Sequence, residues 1–408
     1  MKKVTFLHCA DLHLDSPMTG LKHLPERIFK RLQESTFKSF TNIVNIAIKA
    51  EADIMIIAGD IFDGEDRSLR AQARFRKEME RLNDQGIPVY VIHGNHDHLG
   101  GKWPKLELPE NVHVFASEVE MKQYVKEDGT IVNLYGFSYP KRHLTERWIN
   151  QYQKFGEADF HIGLLHGNSE GASEHGNYAP FSLTELQDKQ FDYWALGHIH
   201  KRKVLSNDPP AIYPGNPQGR NRKETGSKGA YLGELSEGGA QYEFIEANDV
   251  KWLELRIDAA SSKSSSELYD LCIQSMDKVR SEGAGIVLTM EISGTGNLSK
   301  EAVELVESGE LMDALQEEEK NKENFVWLRR LSFSDSAGIS RTQLAAQGEF
   351  YEELCSKIDS FNGWDEALQP LYGHSLARRH LGEIPPEQKE EILREAEQIL
   401  FALLLEKE

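Results

Sequence analysis

Eight apolar runs, each three to seven residues long, recur through the first 250 positions, and five of them end on carboxylate, imidazole or amide groups. After Val4 to Leu7 comes Asp11-Leu12-His13; after Asp53 to Ala58, Gly59-Asp60; after Pro88 to Ile92, Gly94-Asn95-His96-Asp97; after Phe160 to Leu165, His166-Gly167; after Asp192 to Leu196, Gly197-His198-Ile199-His200. The other three runs are Ile131 to Phe137, Ala211 to Tyr213 and Ala230 to Leu235. Runs this short, bounded by Gly, Asp and His, read as buried strands. Such a chain must place polar groups at the ends of buried strands, where a rigid scaffold holds ligand-binding loops.

Helical patterns over Pro25 to Ala50 and Ser68 to Gln85 separate the early strands, whereas from about Val112 the strands follow one another through short turns. Alternating strand and helix followed by strand-rich sequence predicts an α/β fold, a sandwich of two sheets with helices outside. The chain has 408 residues, too many for one ordinary core. The character changes near residue 250: strands over 252 to 258, 286 to 292 and Asn324 to Phe333, with helices over Ser265 to Arg280 and Lys300 to Glu319, predict a small α+β domain. From Thr342 onward the pattern is helical, and Ile399 to Leu405 is a continuous apolar patch. The expected domains are therefore 1–250, 251–336 and 337–408.

Charge and cysteine usage narrow the function classes. The net charge is −19, but residues 1–250 carry 30 basic against 35 acidic side chains, whereas residues 251–408 carry 17 against 31. A polyanionic substrate would have to be drawn by local positive charge. Lys201-Arg202-Lys203 directly behind His200, and Arg220, Arg222 and Lys223 in PGNPQGRNRKETG, offer it; Lys201, Arg220 and Arg222 are the expected substrate contacts. Cys9, Cys272 and Cys355 form no CxxC pair, which argues against a disulfide framework and a thiolate zinc site. No stretch reaches the roughly 20 apolar residues of a membrane span. The apolar run behind Lys2 and Lys3 stops at Ala10, unlike an export signal. A cytoplasmic protein with no membrane partner is expected.

Mixed nitrogen and oxygen donors without thiolates suit Mn, Fe or Zn, and the strand-end groups exceed what one ion can use. DxH, GD or HG alone is uninformative; all five motifs in order are not. The series DxH, GD, GNHD, a separate histidine and GHxH resembles that of the calcineurin-like metallophosphoesterase superfamily. The resemblance implies two divalent ions, Mn2+ with Fe or Zn as alternatives. It implies a first metal on Asp11, His13 and His200, a second on Asn95, His166 and His198, and Asp60 bridging both. A metal-bridging hydroxide would attack phosphorus. His96 would assist the leaving oxygen, with Asp97 orienting it. His93 and His98 are expected to be structural.

The layout beyond residue 250 is similar to that of the SbcD-like DNA repair nuclease family, and within it to the YhaO type of DNA repair exonuclease. What this implies is a metal-dependent exonuclease, with endonuclease activity also open, acting on DNA. It also implies a capping domain and C-terminal helices that dock on an SMC-like ATPase; relatives are dimers, which brings a homodimer into consideration. Two other readings stay open: a small-molecule phosphodiesterase or nucleotidase, favoured by the acidic charge, and a mainly structural subunit of an ATPase complex.

Overall fold

The computed structural model describes residues 2–18, 20–21, 24–64, 68–101, 106–170, 178–334 and 348–373, with 389, 392–393, 396–397 and 400. The apolar patch expected to dock a partner, Ile399 to Leu405, lies outside the described residues apart from Leu400.

Two six-stranded sheets dominate. The first contains β1 (Lys3–Cys9), β2 (Ile54–Ala58), β3 (Val89–Ile92), β4 (Val112–Val114), β11 (Gly229–Ser236) and β12 (Gly239–Glu246), in the order β12-β11-β1-β2-β3-β4. The second contains β5 (Glu120–Val125), β6 (Ile131–Gly136), β7 (Phe160–His166), β8 (Tyr193–Gly197), β9 (Lys203–Asn207) and β10 (Pro210–Tyr213), in the order β5-β6-β7-β8-β10-β9. Strands β1 to β4 run parallel, as do β6, β7, β8 and β10. Their C-terminal ends therefore gather, sheet by sheet, on one edge.

The two-residue period of a strand sorts each side chain onto a layer. Phe6, Ile54, Ile56, Tyr90 and Ile92 of the first sheet pack with Val132, Leu134, Ile162, Leu164, Tyr193 and Ala195 of the second. Their neighbours Leu7, Cys9, Met55, Ile57, Val89 and Val91 face the other way, onto Phe40, Ile43, Val44, Phe75 and Met79 of α1 (Glu26–Lys49) and α2 (Leu69–Asn83). On the second sheet's far side, Tyr135, Leu165, Trp194 and Leu196 pack with Ile149 and with Leu186 of α3 (Leu183–Asp188). This is the expected two-sheet α/β sandwich, and its central layer is largely apolar, with His8 buried in it against the Tyr193 hydroxyl.

The third sheet orders β13 (Val250–Asp258), β14 (Gly285–Ser293) and β15 (Val326–Phe333) side by side. With them come α4 (Ser265–Val279), α5 (Lys300–Glu307) and α6 (Glu310–Glu317). The single helix expected over Lys300 to Glu319 is two helices, because Gly309 takes a φ of 84° and breaks the run. Two further helices follow, α7 (Glu349–Asp359) and α8 (Trp364–Gly373). The chain packs as two compact units, Met1–Leu255 with Tyr269–Met290 and Gly309–Arg330, and Arg256–Leu268 with Glu291–Ser308 and Leu331–Glu408. Every residue of the candidate site belongs to the first. Among the described residues no helix is long and apolar enough to cross a membrane.

Candidate metal centre

The strand ends turn abruptly. Asp11, His13, Asp60 and His198 take φ values of 53°, 43°, 51° and 99°, in the left-handed region that a side chain with a Cβ disfavours. Such residues persist only where surrounding structure holds them, and they concentrate at functional sites. Here backbone bonds do the holding: Asp11 N–H donates to Gly59 O at 3.0 Å, and His13 N–H to Asp60 O at 3.0 Å. The carboxylate of Asp11 accepts from His198 N–H at 3.0 and 3.1 Å, joining the first strand end to the last.

Among the described residues three groups bring ligand atoms within 4.8 Å of one another: Asp11, His13 and His200 form a first cluster, Asp60, His166 and His198 a second, and His13, Asp63 and His96 a third at the rim that shares His13 with the first. Asn95 Oδ1 joins the second cluster, 3.1 Å from both His166 Nε2 and His198 Nδ1. Asp60 Oδ2 stands between the first and second clusters, 3.3 Å from His166 Nε2 and 3.9 Å from His13 Nε2. All seven residues expected from the sequence as ligands are thus brought to one place.

The outer partners show which nitrogen each ring presents. His13 Nδ1–H donates to Asp63 at 3.1 Å, His200 Nδ1–H to Glu224 at 2.8 Å, and His166 Nδ1–H to the Ala58 carbonyl at 2.9 Å. With Nδ1 engaged, the lone pairs of His13 and His200 meet at 3.1 Å between their Nε2 atoms. Two lone pairs and the Asp11 carboxylate converging on one point repel one another unless a cation lies among them. The residues therefore fit a divalent ion at the first cluster, and the oxygens of Asn95 and Asp60 around His166 Nε2 fit one at the second. Glycine makes the close approach feasible: a Cβ at Gly94 would stand 2.3 Å from Asp60 Oδ1 and 2.6 Å from His166 Nε2.

Burial alone would push every carboxylate here upward. It does so for Asp11, which is fully buried. For Asp60 burial is outweighed by the charge and hydrogen bond of His166, which hold it well below the usual carboxylate range. Burial likewise opposes the proton on His166, but Asp60 and Asp11 overcome it and raise that histidine to about 9.

Sequence reasoning passed over two residues. Asp63 stands 3.8 Å from His96 Nδ1 as well as bonding His13, and Glu224 holds His200. The only sequence signal for Asp63 was its spacing three positions behind Asp60. His96 lies at the rim with its side chain 33% exposed, its ring 4.9 Å from that of His13. Asp97, expected to orient His96, is engaged with Gly94 N–H at 2.7 Å, Ile61 N–H at 2.8 Å and His93 Nδ1 at 3.0 Å. It fastens the loop that carries His96, and His93 serves that fastening. Of the expected substrate contacts, Lys201 is exposed and Arg222 half-buried. Arg220 is turned inward, its guanidinium 3.4 Å from Asp63 and 3.3 Å from Glu224.

A family model described as calcineurin-like phosphoesterase matches residues 4–202. The metallophosphoesterase YhaO of Bacillus subtilis (strain 168) is 42% identical over 399 residues, 97% of either chain. The chain belongs to the calcineurin-like metallophosphoesterases. More distant similarity links this metallophosphoesterase to proteins named DNA double-strand break repair protein Mre11. That of Sulfurisphaera tokodaii is 29% identical over 216 residues, 51% of this chain and 52% of the relative. That of Sulfolobus acidocaldarius is 25% identical over 384 residues, 88% and 95% respectively. The matched family region ends just past His200, so the metallophosphoesterase motifs all lie within it, while Arg220 and Glu224 lie beyond it.

Proposed function

We propose that this metallophosphoesterase is a DNA nuclease that hydrolyses phosphodiester bonds with two divalent ions. The observation that carries the hydrolytic chemistry is the pair of donor clusters with Asp60 between them. The choice of DNA is supported by the relatives named for double-strand break repair. Asp11, His13 and His200 would hold the first ion, and Asn95, His166 and His198 the second, with Asp60 shared. Bound there, Mn2+, or Fe or Zn in its place, would supply Lewis acidity to the phosphoryl oxygens and to water.

The remaining work falls to the chain's own groups. His96, at the rim, has Asp63 on the side of its Nδ1, which leaves Nε2 to give a proton to the departing oxygen. The backbone N–H of His96 donates to Asp60 Oδ1 at 2.9 Å, so the acid and the shared carboxylate are held in one frame. Exposed Lys201 and Lys203 lie directly behind the GHxH loop, and phosphate contacts from such side chains position a strand without reading its sequence.

The test uses linear DNA and bis-p-nitrophenyl phosphate side by side with Mn2+. Cleavage of both is expected; turnover of the small diester with none of DNA would remove the nuclease reading and leave the phosphodiesterase. His96→Ala should lower kcat on DNA by about 10²- to 10⁴-fold while two ions still bind by calorimetry. Loss of an ion in that variant would reassign His96 as a ligand. The net charge of −19 favours the second reading, a small phosphate ester as substrate. Salt separates the two, since contacts to several phosphates make affinity fall steeply with salt.

A further inference from the structure

Arg220 was expected at the substrate, but its side chain is only 15% exposed and its Nε is buried without a hydrogen-bond partner among the described residues. The guanidinium reaches two carboxylates that are far apart in the sequence, Asp63 through Nη1 at 3.4 Å and Glu224 through Nη2 at 3.3 Å. Those carboxylates are the groups that accept from His13 Nδ1 and His200 Nδ1. Arg220 Nη2 also stands 3.2 Å from His200 Nδ1. Its backbone N–H donates to the other Glu224 oxygen at 2.7 Å, and Asn216 Nδ2 donates to the same oxygen at 2.8 Å. The loop itself is fastened: Gln218 Oε1 accepts from Asp249 N–H at 2.9 Å, and Trp252 Nε1 donates to Gly219 O at 3.0 Å. Lys228 Nζ ties the loop to the GHxH turn through Asn216 Oδ1 and His200 O, both at 2.8 Å.

We infer that Arg220 is the positioning residue of the first metal position, clamping Asp63 and Glu224 so that His13 and His200 hold their Nε2 atoms toward a shared ion. The inference rests on the two-ion reading. A planar fork is what the geometry requires, because one group must satisfy two separated carboxylates at once; an ammonium carries the charge but cannot span them. Groups that orient a ligand histidine are worth about 10- to 100-fold in metal affinity. The second position, whose His166 is oriented by a backbone carbonyl, does not depend on Arg220.

The experiment compares wild type, Arg220→Lys and Arg220→Gln by Mn2+ calorimetry and by electron paramagnetic resonance of the coupled Mn pair, with apo thermal unfolding to establish that each is folded. In wild type two ions should bind; if none does, the two-ion reading fails before the clamp is tested. Both variants should weaken one site about tenfold or more, leave the other within twofold, and lose the coupled signal at Mn2+ levels that saturate wild type. Wild-type affinity in Arg220→Lys, tighter binding in Arg220→Gln, or equal weakening of both sites would overturn the clamp. Should the variants fail to fold, Glu224→Gln keeps the test open, since it loosens the same clamp and must weaken the same single site.

Discussion

Single residues decide whether the two clusters form. Gly94 is required by space, not by its backbone freedom, because the space where a Cβ would stand belongs to Asp60 and His166. Gly94→Ala should shift the Asp60 carboxylate and the His166 ring of the second cluster together. A displacement of about 1 Å at reacting groups costs about 10²-fold in rate, so kcat on bis-p-nitrophenyl phosphate at saturating Mn2+ should fall by that order. Unchanged turnover would mean that Asp60 and His166 relax freely. The residues expected as ligands could be picked out of the sequence because they stand in fixed motifs at strand ends, and the fold brings them together. Asp63, Glu224 and the inward turn of Arg220 could not, because a carboxylate that orients a ring is defined by which ring folding brings to it. A basic residue in a polar loop reads as solvated until its partners are known.

Among elements, the strands that carry the site were the most legible, since each is mostly apolar, mostly buried and closed by a motif. The edge strands β5 and β12 were not: EMKQYV and GAQYEFIE alternate between half-buried and exposed positions and carry too little apolar sequence to stand out. Within β1 a polar residue is hidden in the apolar run. His8 is fully buried, shares a hydrogen bond of 3.0 Å with the Tyr193 hydroxyl, and is pushed down by burial from 6.5 to about 3. Its folded pKa is depressed, so between about pH 6.5 and 3 the unfolded chain binds a proton that the folded chain refuses. Stability is therefore lost as pH falls through that window, at up to about 1.4 kcal/mol per pH unit from this one group. His8→Leu removes the titration, and urea unfolding of the two proteins from pH 7.5 to 4.5 should diverge in slope below 6.5. Parallel profiles would show that His8 charges inside the folded strand.

At the scale of the molecule, the fold gathers two buried carboxylates and four imidazoles from strand ends belonging to both sheets, and needs positive charge there to do it. In the metal-free chain a proton on His166 provides part of that charge. Burial opposes this proton, but Asp60 and Asp11 hold it to about pH 9 against an ordinary 6.5. The folded pKa is raised, so its stabilisation is complete below pH 6.5 and is lost as pH rises through 9. An ion at the second cluster competes with that proton for Nε2, so binding at pH 7.5 should release close to one proton there. Calorimetry in two buffers of different ionisation enthalpy measures the number directly. The same competition reverses the pH dependence of folding. The metal-free protein should weaken between pH 6.5 and 9, whereas the Mn-loaded protein should hold or gain, as affinity rises and adds about 2.7 kcal/mol whenever free metal is 100 times its dissociation constant. Denaturation midpoints taken across that range with Mn2+ and with chelator should separate as pH rises; a constant gap would mean that His166 is already neutral and that another group balances Asp11 and Asp60.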